Sequence, residues 1–144
     1  MGVLVDEGVL SWDMKLPEPL ASEVHPAYTD ITLEEFMRCR AGVVGFNSSV
    51  DDGYEDLPEL TGDAPSQRLQ AMRAILAQPP AYEPGTQTRT SAASVCAAVV
   101  IAEQATGEKW KNLFHEYLLG PLSLRSGRFG WPATSATPDQ TRGH

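Results

Sequence analysis

The stretch from residue 82 to residue 124, YEPGTQTRTSAASVCAAVVIAEQATGEKWKNLFHEYLLGPLSL, constrains the fold more than any other part of the chain. Pro84-Gly85 marks a turn, and either Thr90 or Ser91 supplies the cap for a following helix. Over 92–106 the residues Ala92, Val95, Cys96, Val99, Val100 and Ile101 leave the predicted helix apolar nearly all round. Such a helix belongs in the middle of a core, not at its edge. Gly107 stands where a left-handed helix stop is expected, and a second helix over 108–119 gathers Trp110, Leu113, Phe114 and Tyr117 for burial.

The residues before this unit read as an approach to it. Residues 3–7 followed by Gly8 have the pattern of a helix's last turn, so its beginning is expected upstream of residue 1. Residues 10–20 carry Pro17 and Pro19 and form an extended connector, with Trp12 and Leu16 as expected anchors onto the core. Thr32 and Glu35 make a capping box that opens a short helix over 33–39, with Leu33, Phe36 and Met37 on one face. Gly42 and Gly45 then break the pattern. Residues 47–59 are polar and acidic and are expected as a loop. Asp51, Asp52, Glu55 and Asp56 do not have the spacing of a calcium-binding loop, and Asn47-Ser48-Ser49 is a glycosylation sequon in form only. Pro65 introduces a helix to about residue 77 whose apolar face is Leu69, Met72, Ile75 and Leu76, and Pro79-Pro80 stops it. Beyond residue 123 the composition turns to Gly, Pro, Ser and Thr, with one apolar patch at 129–131. No segment has the alternation of a strand, so the chain reads as mainly α.

Charge and composition exclude several classes of partner. A net charge of −8, with 11 Lys and Arg scattered and unclustered, is unsuited to nucleic acid or an anionic membrane surface. The longest apolar run, 97–102, is far short of the ~18 residues a membrane span needs. The first residues lack the basic and apolar regions of a signal peptide, and the compartment stays open. Cys39 and Cys96 each fall inside a predicted helix and read as small buried hydrophobes; whether they pair is a matter of geometry. Neither a metal site nor a cofactor motif is present, and there is no phosphate loop, dinucleotide fingerprint or nucleophile elbow. His25, His115 and His144 are far apart in sequence, with His115 expected on a helix surface.

Five blocks in order carry a resemblance: LVDEGVLSWD, ITLEEFMRCRAGVVGF, residues 83–124, GRFGWP and TPDQTRGH. Together they resemble the serine β-lactamase-related family of class C β-lactamases, penicillin-binding carboxypeptidases and esterases. In that family a helix ending L-V-E-E-G-x-L leads to I-T-L-x-x-L-L-x-H-T-S-G-L. Later, P-G-T-x-F-x-Y-S-N runs into a helix and a T-G-x-x-W segment. The resemblance implies the helical subdomain of an α/β β-lactamase/transpeptidase-like fold that lacks most of its sheet, with residues 1–144 a partial domain truncated at both ends.

The family's chemistry is acyl transfer through a serine. Its S-x-x-K sets a lysine one helical turn from the nucleophile, its Y-x-N relays a proton and holds substrate, and its K-T-G lies beside the oxyanion hole. None of the three is present. Ser11 and Lys15 come nearest to the first, at the wrong spacing. Laying Pro84-Gly85-Thr86 on P-G-T puts Thr90 at the tyrosine and Ala92 at the asparagine, so Thr90, Ser91 and Ala92 are the position-matched groove residues and no catalytic residue is assigned. Cys39-Arg40-Ala41-Gly42-Val43 replaces H-T-S-G-L.

The resemblance therefore implies a fragment of a serine hydrolase that acts on a small-molecule amide or ester in its full-length parent and is inactive in this form. Its uncovered apolar faces are expected to self-associate. A non-catalytic binding homologue and a degenerate reading frame without function are the alternatives.

Overall fold

Residues 92–106 contain no β-branched pair before Val99-Val100 and no glycine, and in the computed structural model they form the longest helix of the chain. The structure describes residues 1–45, 57–127 and 129–130. The elements run α1 (Gly2–Asp6), α2 (Leu20–Glu23), a 3₁₀ turn at Pro26–Tyr28, α3 (Leu33–Met37), α4 (Ala64–Leu76), α5 (Ala92–Thr106), α6 (Trp110–Phe114) and a π-helical turn at His115–Leu119. The described residues contain no strand beyond one isolated antiparallel bridge, Lys15 to Thr32. The chain is mainly helical, as expected. It divides into two compact units, Met1–Trp110 and Lys111–His144.

In the first unit α5 packs against both α3 and α4. Ala97, Ala98 and Ala102 are fully buried on it, and such small side chains let neighbouring backbones approach closely. The expectation of a helix buried on every side needs one correction. Ala92 and Val95, in its first turn, are exposed. Gly107, at φ +70°, closes the helix and donates its N–H to the Glu103 carbonyl at 2.9 Å.

The amino-terminal approach is held by its backbone. The Leu33 and Glu34 amides donate to the Met14 and Trp12 carbonyls at 2.6 and 3.1 Å, while Leu4, Leu10, Leu16 and Leu20 are buried. Leu16 is thus the anchor it was expected to be, but the Trp12 side chain is exposed and only its carbonyl contributes. The turn at Pro26–Tyr28, which no periodicity signals, buries Tyr28; burial, helped by the nearby Tyr82 phenol, pushes that hydroxyl up to about 12.

Thr32 and Glu35 form both bonds of the capping box that opens α3. Its end differs from the expected one: the helix stops at Met37, and Cys39, at φ +53°, lies outside it. The Arg40 amide donates to the Glu35 carbonyl and the Cys39 amide to that of Phe36, at 2.9 and 3.0 Å. This is a Schellman stop with cysteine in the left-handed place that glycine usually takes. Neither cysteine is fully buried, and both are free thiols; burial pushes the Cys96 thiol up.

Asp63 caps α4 and Pro65 sits in its first turn. Hydrogen bonds from Ser66 and then Lys109 hold the exposed Asp63 carboxyl down at about 2. Met72, Ile75 and Leu76 are buried as expected, with Leu69 half-buried.

Among the described residues charge enters the core at one place. Glu103 on α5 is buried and accepts two hydrogen bonds from Arg68 of α4, at 2.6 and 3.1 Å, and a third from the Trp110 amide at 2.7 Å. A carboxylate taken out of water is tolerated only with such partners.

In the second unit the single helix expected over 108–119 is instead α6 followed by the π turn, with Leu113 buried, Phe114 and Tyr117 half-buried, and His115 on the surface. Trp110, at the end of the first unit, is also half-buried. Phe129 meets Phe114 edge-on at 5.4 Å. Most of the acidic loop, the sequon, Trp131 and His144 lie outside the described residues.

Replacing Arg68 with Ala is expected to lower stability in urea unfolding by about 2–4 kcal/mol, because it strands a buried carboxylate. Arg68→Leu combined with Glu103→Leu is expected to cost less than Arg68→Ala alone.

Candidate functional site

The loop over 82–91 could sample many conformations by itself; segment 39–45 fixes it. The two run side by side, and four backbone hydrogen bonds join them and the residues flanking the loop: the Ala81 amide donates to the Gly42 carbonyl, Gly85 to Arg40, Arg89 to Cys39 and Ala92 to Gly45, at 2.8 to 3.1 Å. Side chains reinforce the pairing. The Arg40 guanidinium donates to the Gly85 carbonyl, and the Tyr82 phenol donates to the Cys39 carbonyl at 3.0 Å. Gly42, at φ +77°, has no room for a side chain, since a Cβ there would press on the Tyr82 carbonyl and lie 2.9 Å from Pro80 Cβ.

Ser91 is the hinge of this arrangement. It is 2 % exposed and caps α5: its Oγ accepts from the Ser94 amide at 2.9 Å and donates to the Val44 carbonyl at 2.6 Å. Ser94, 1 % exposed, extends the network by donating its hydroxyl to the Phe36 carbonyl at 2.8 Å. The two hydroxyls therefore satisfy carbonyls that leave α3 and pass under the loop. A serine whose proton is held by a backbone carbonyl has no base to give it to, and its burial keeps substrate away.

Of the three position-matched residues, Thr90 and Ala92 are exposed on either side of buried Ser91. The structure thus brings them to one surface, with the serine turned inward between them. Arg89 is exposed beside Thr90, and its guanidinium lies 5.2 Å from the centroid of the Tyr82 ring.

The other sequence candidates are drawn to separate partners. Ser11 hydrogen-bonds Asp13, whereas Lys15 Nζ is held by Asp30 at 2.6 Å; that contact also keeps the Asp30 carboxyl below its ordinary range. His25 Nδ1 accepts from the Ala27 amide at 3.2 Å and so serves a turn. Among the described residues no group of His, Cys, Asp and Glu has the arrangement of a metal site, and no helix is long and apolar enough to cross a membrane.

Arg40, Tyr82 and Arg89 were not legible as a set. They meet through pairings across more than 40 positions, and the only local marks were Gly42 and Gly85.

The Beta-lactamase family profile matches residues 1–144, and the chain belongs to that family. No curated protein and no solved structure matches it.

Two substitutions test the framework. Gly42→Ala is expected to destabilise by about 2 kcal/mol or more, through a left-handed backbone and a backbone clash together. Ser91→Ala, which removes a cap and leaves the Val44 carbonyl without its donor, is expected to cost about 1–3 kcal/mol in chemical unfolding.

Proposed function

We propose that this chain is the helical portion of a β-lactamase-like serine hydrolase domain, and that it supplies scaffold and not chemistry. The observation that carries the reading is the commitment of Ser91, whose hydroxyl is buried and engaged at both its donor and its acceptor side. Thr90 at the tyrosine position adds to it. An aliphatic hydroxyl lacks the acidity of a phenol and relays protons poorly, and Ala92 has no side-chain amide to hold a substrate. Lys15, the only lysine near a serine in the amino-terminal region, is ion-paired with Asp30. In a longer parent the nucleophile, its lysine and an oxyanion-hole strand would come from other segments, and a small-molecule amide or ester would be the substrate. Exposed apolar side chains, among them Val95, Leu122 and Leu124, favour self-association of the chain by itself.

The alternative, a non-catalytic binding homologue, draws support from the changes at Thr90 and Ala92 inside the chain and from exposed Arg89 beside them.

The test is covalent labelling. Incubation of the 144-residue chain with a fluorescent penicillin and with a fluorophosphonate is expected to give no labelled band and no mass increase. Stoichiometric modification of any serine, located by peptide mass spectrometry, would overturn the proposal.

A further inference from the structure

The described surface beside Thr90 has a cationic group set in place by the fold. Arg89 extends from a backbone position fixed by its own amide, which donates to the Cys39 carbonyl at 3.1 Å. The Tyr82 phenol donates to the same carbonyl at 3.0 Å, so one oxygen sets both the arginine and the ring over which its guanidinium lies. A guanidinium beside an aromatic ring loses less freedom on binding than one on an unsupported side chain, and its planar fork of donors suits a bidentate oxyanion.

We propose that Arg89, backed by Tyr82, is a recognition site for a single carboxylate on a small ligand. The choice of a monoanion follows from charge. Arg40, the other guanidinium of this pairing, is engaged by the Gly85 carbonyl, exposed Glu83 lies next to Tyr82, and the chain carries a net charge of −8. A dianion such as phosphate meets more repulsion here than a carboxylate does. Thr90 and Ala92 border the site, so the body of the ligand would lie along the loop towards the start of α5. The site needs no covalent step, and it stands or falls separately from the labelling result.

Benzoate titrated into the ¹⁵N-labelled chain, followed by NMR at the arginine Nε–H and backbone amide signals, tests it. A single exposed Arg–carboxylate contact is weak, so saturation is expected only at concentrations on the order of 0.1 M or above, with ionic strength held constant by chloride. The signals of Arg89, Tyr82 and Thr90 should move together. Methyl benzoate should leave them in place, and inorganic phosphate should bind at least severalfold more weakly. Arg89→Gln should abolish the saturable shift with the rest of the spectrum unchanged, and Arg89→Lys should weaken it. Shifts that persist in Arg89→Gln, shifts of equal size with methyl benzoate, shifts spread over all arginines, or no saturable shift would each overturn the proposal.

Discussion

Two buried hydroxyls hold this structure together at the point where its chemistry would be expected. Ser91 and Ser94 sit one turn apart at the start of α5, and they reach Val44 and Phe36, carbonyls on a segment that the sequence places some 50 residues earlier. Without those bonds the Val44 carbonyl would lose its donor, at a cost of about 1–3 kcal/mol, the Phe36 carbonyl would keep only the Cys39 amide, and the loop over 82–91 would lose its underside. The side-by-side amide bonds between 39–45 and 81–92 extend the same contact outward. The position of Thr90, Arg89 and Tyr82 depends on it.

That arrangement is built from parts that serve the fold. The parts that build the fold are a turn, a cap, a glycine with no room for a side chain and a helix of small apolar residues, and each is satisfied by its neighbours. A serine nucleophile has to be exposed and paired with a base, which is the reverse of what Ser91 does. The buried Arg68–Glu103 pair belongs with the scaffold as well: it binds α4, α5 and the first residue of α6 through one carboxylate, and its partners complete its hydrogen bonding.

Much of this was legible in the sequence because it is local. The Thr32–Glu35 box, Gly107 and the apolar run of α5 depend on residues within one or two turns, and each is found where its pattern placed it; of the two caps the sequence offered for α5, Thr90 and Ser91, the structure takes Ser91. The end of α3 was not legible, because the Schellman stop uses Cys39 where the usual signal is glycine. Trp12 was misjudged because hydrophobicity does not report that a residue contributes its carbonyl and leaves its ring in solvent. The π turn after Phe114 interrupts an amphipathic pattern that predicts a continuous helix. The Arg68–Glu103 pair and the bond from the Tyr82 phenol to the Cys39 carbonyl join residues far apart in sequence, and neither partner announces the other. The candidate site shows the same division: position matching singled out Thr90, Ser91 and Ala92, but that Ser91 faces inward is decided by the Val44 carbonyl, 47 positions away.

The central claim is that segment 39–45 fixes the loop before α5. Native-state hydrogen exchange tests it most directly, because amides in an untethered loop exchange at free-peptide rates whatever the stability of the helices. The account requires slow exchange at Gly85, Arg89 and Ala92, each of which donates to a carbonyl of that segment, together with the slowest exchange of the chain in the buried turns of α5. Protection of α5 with free-peptide exchange at those three amides would contradict it.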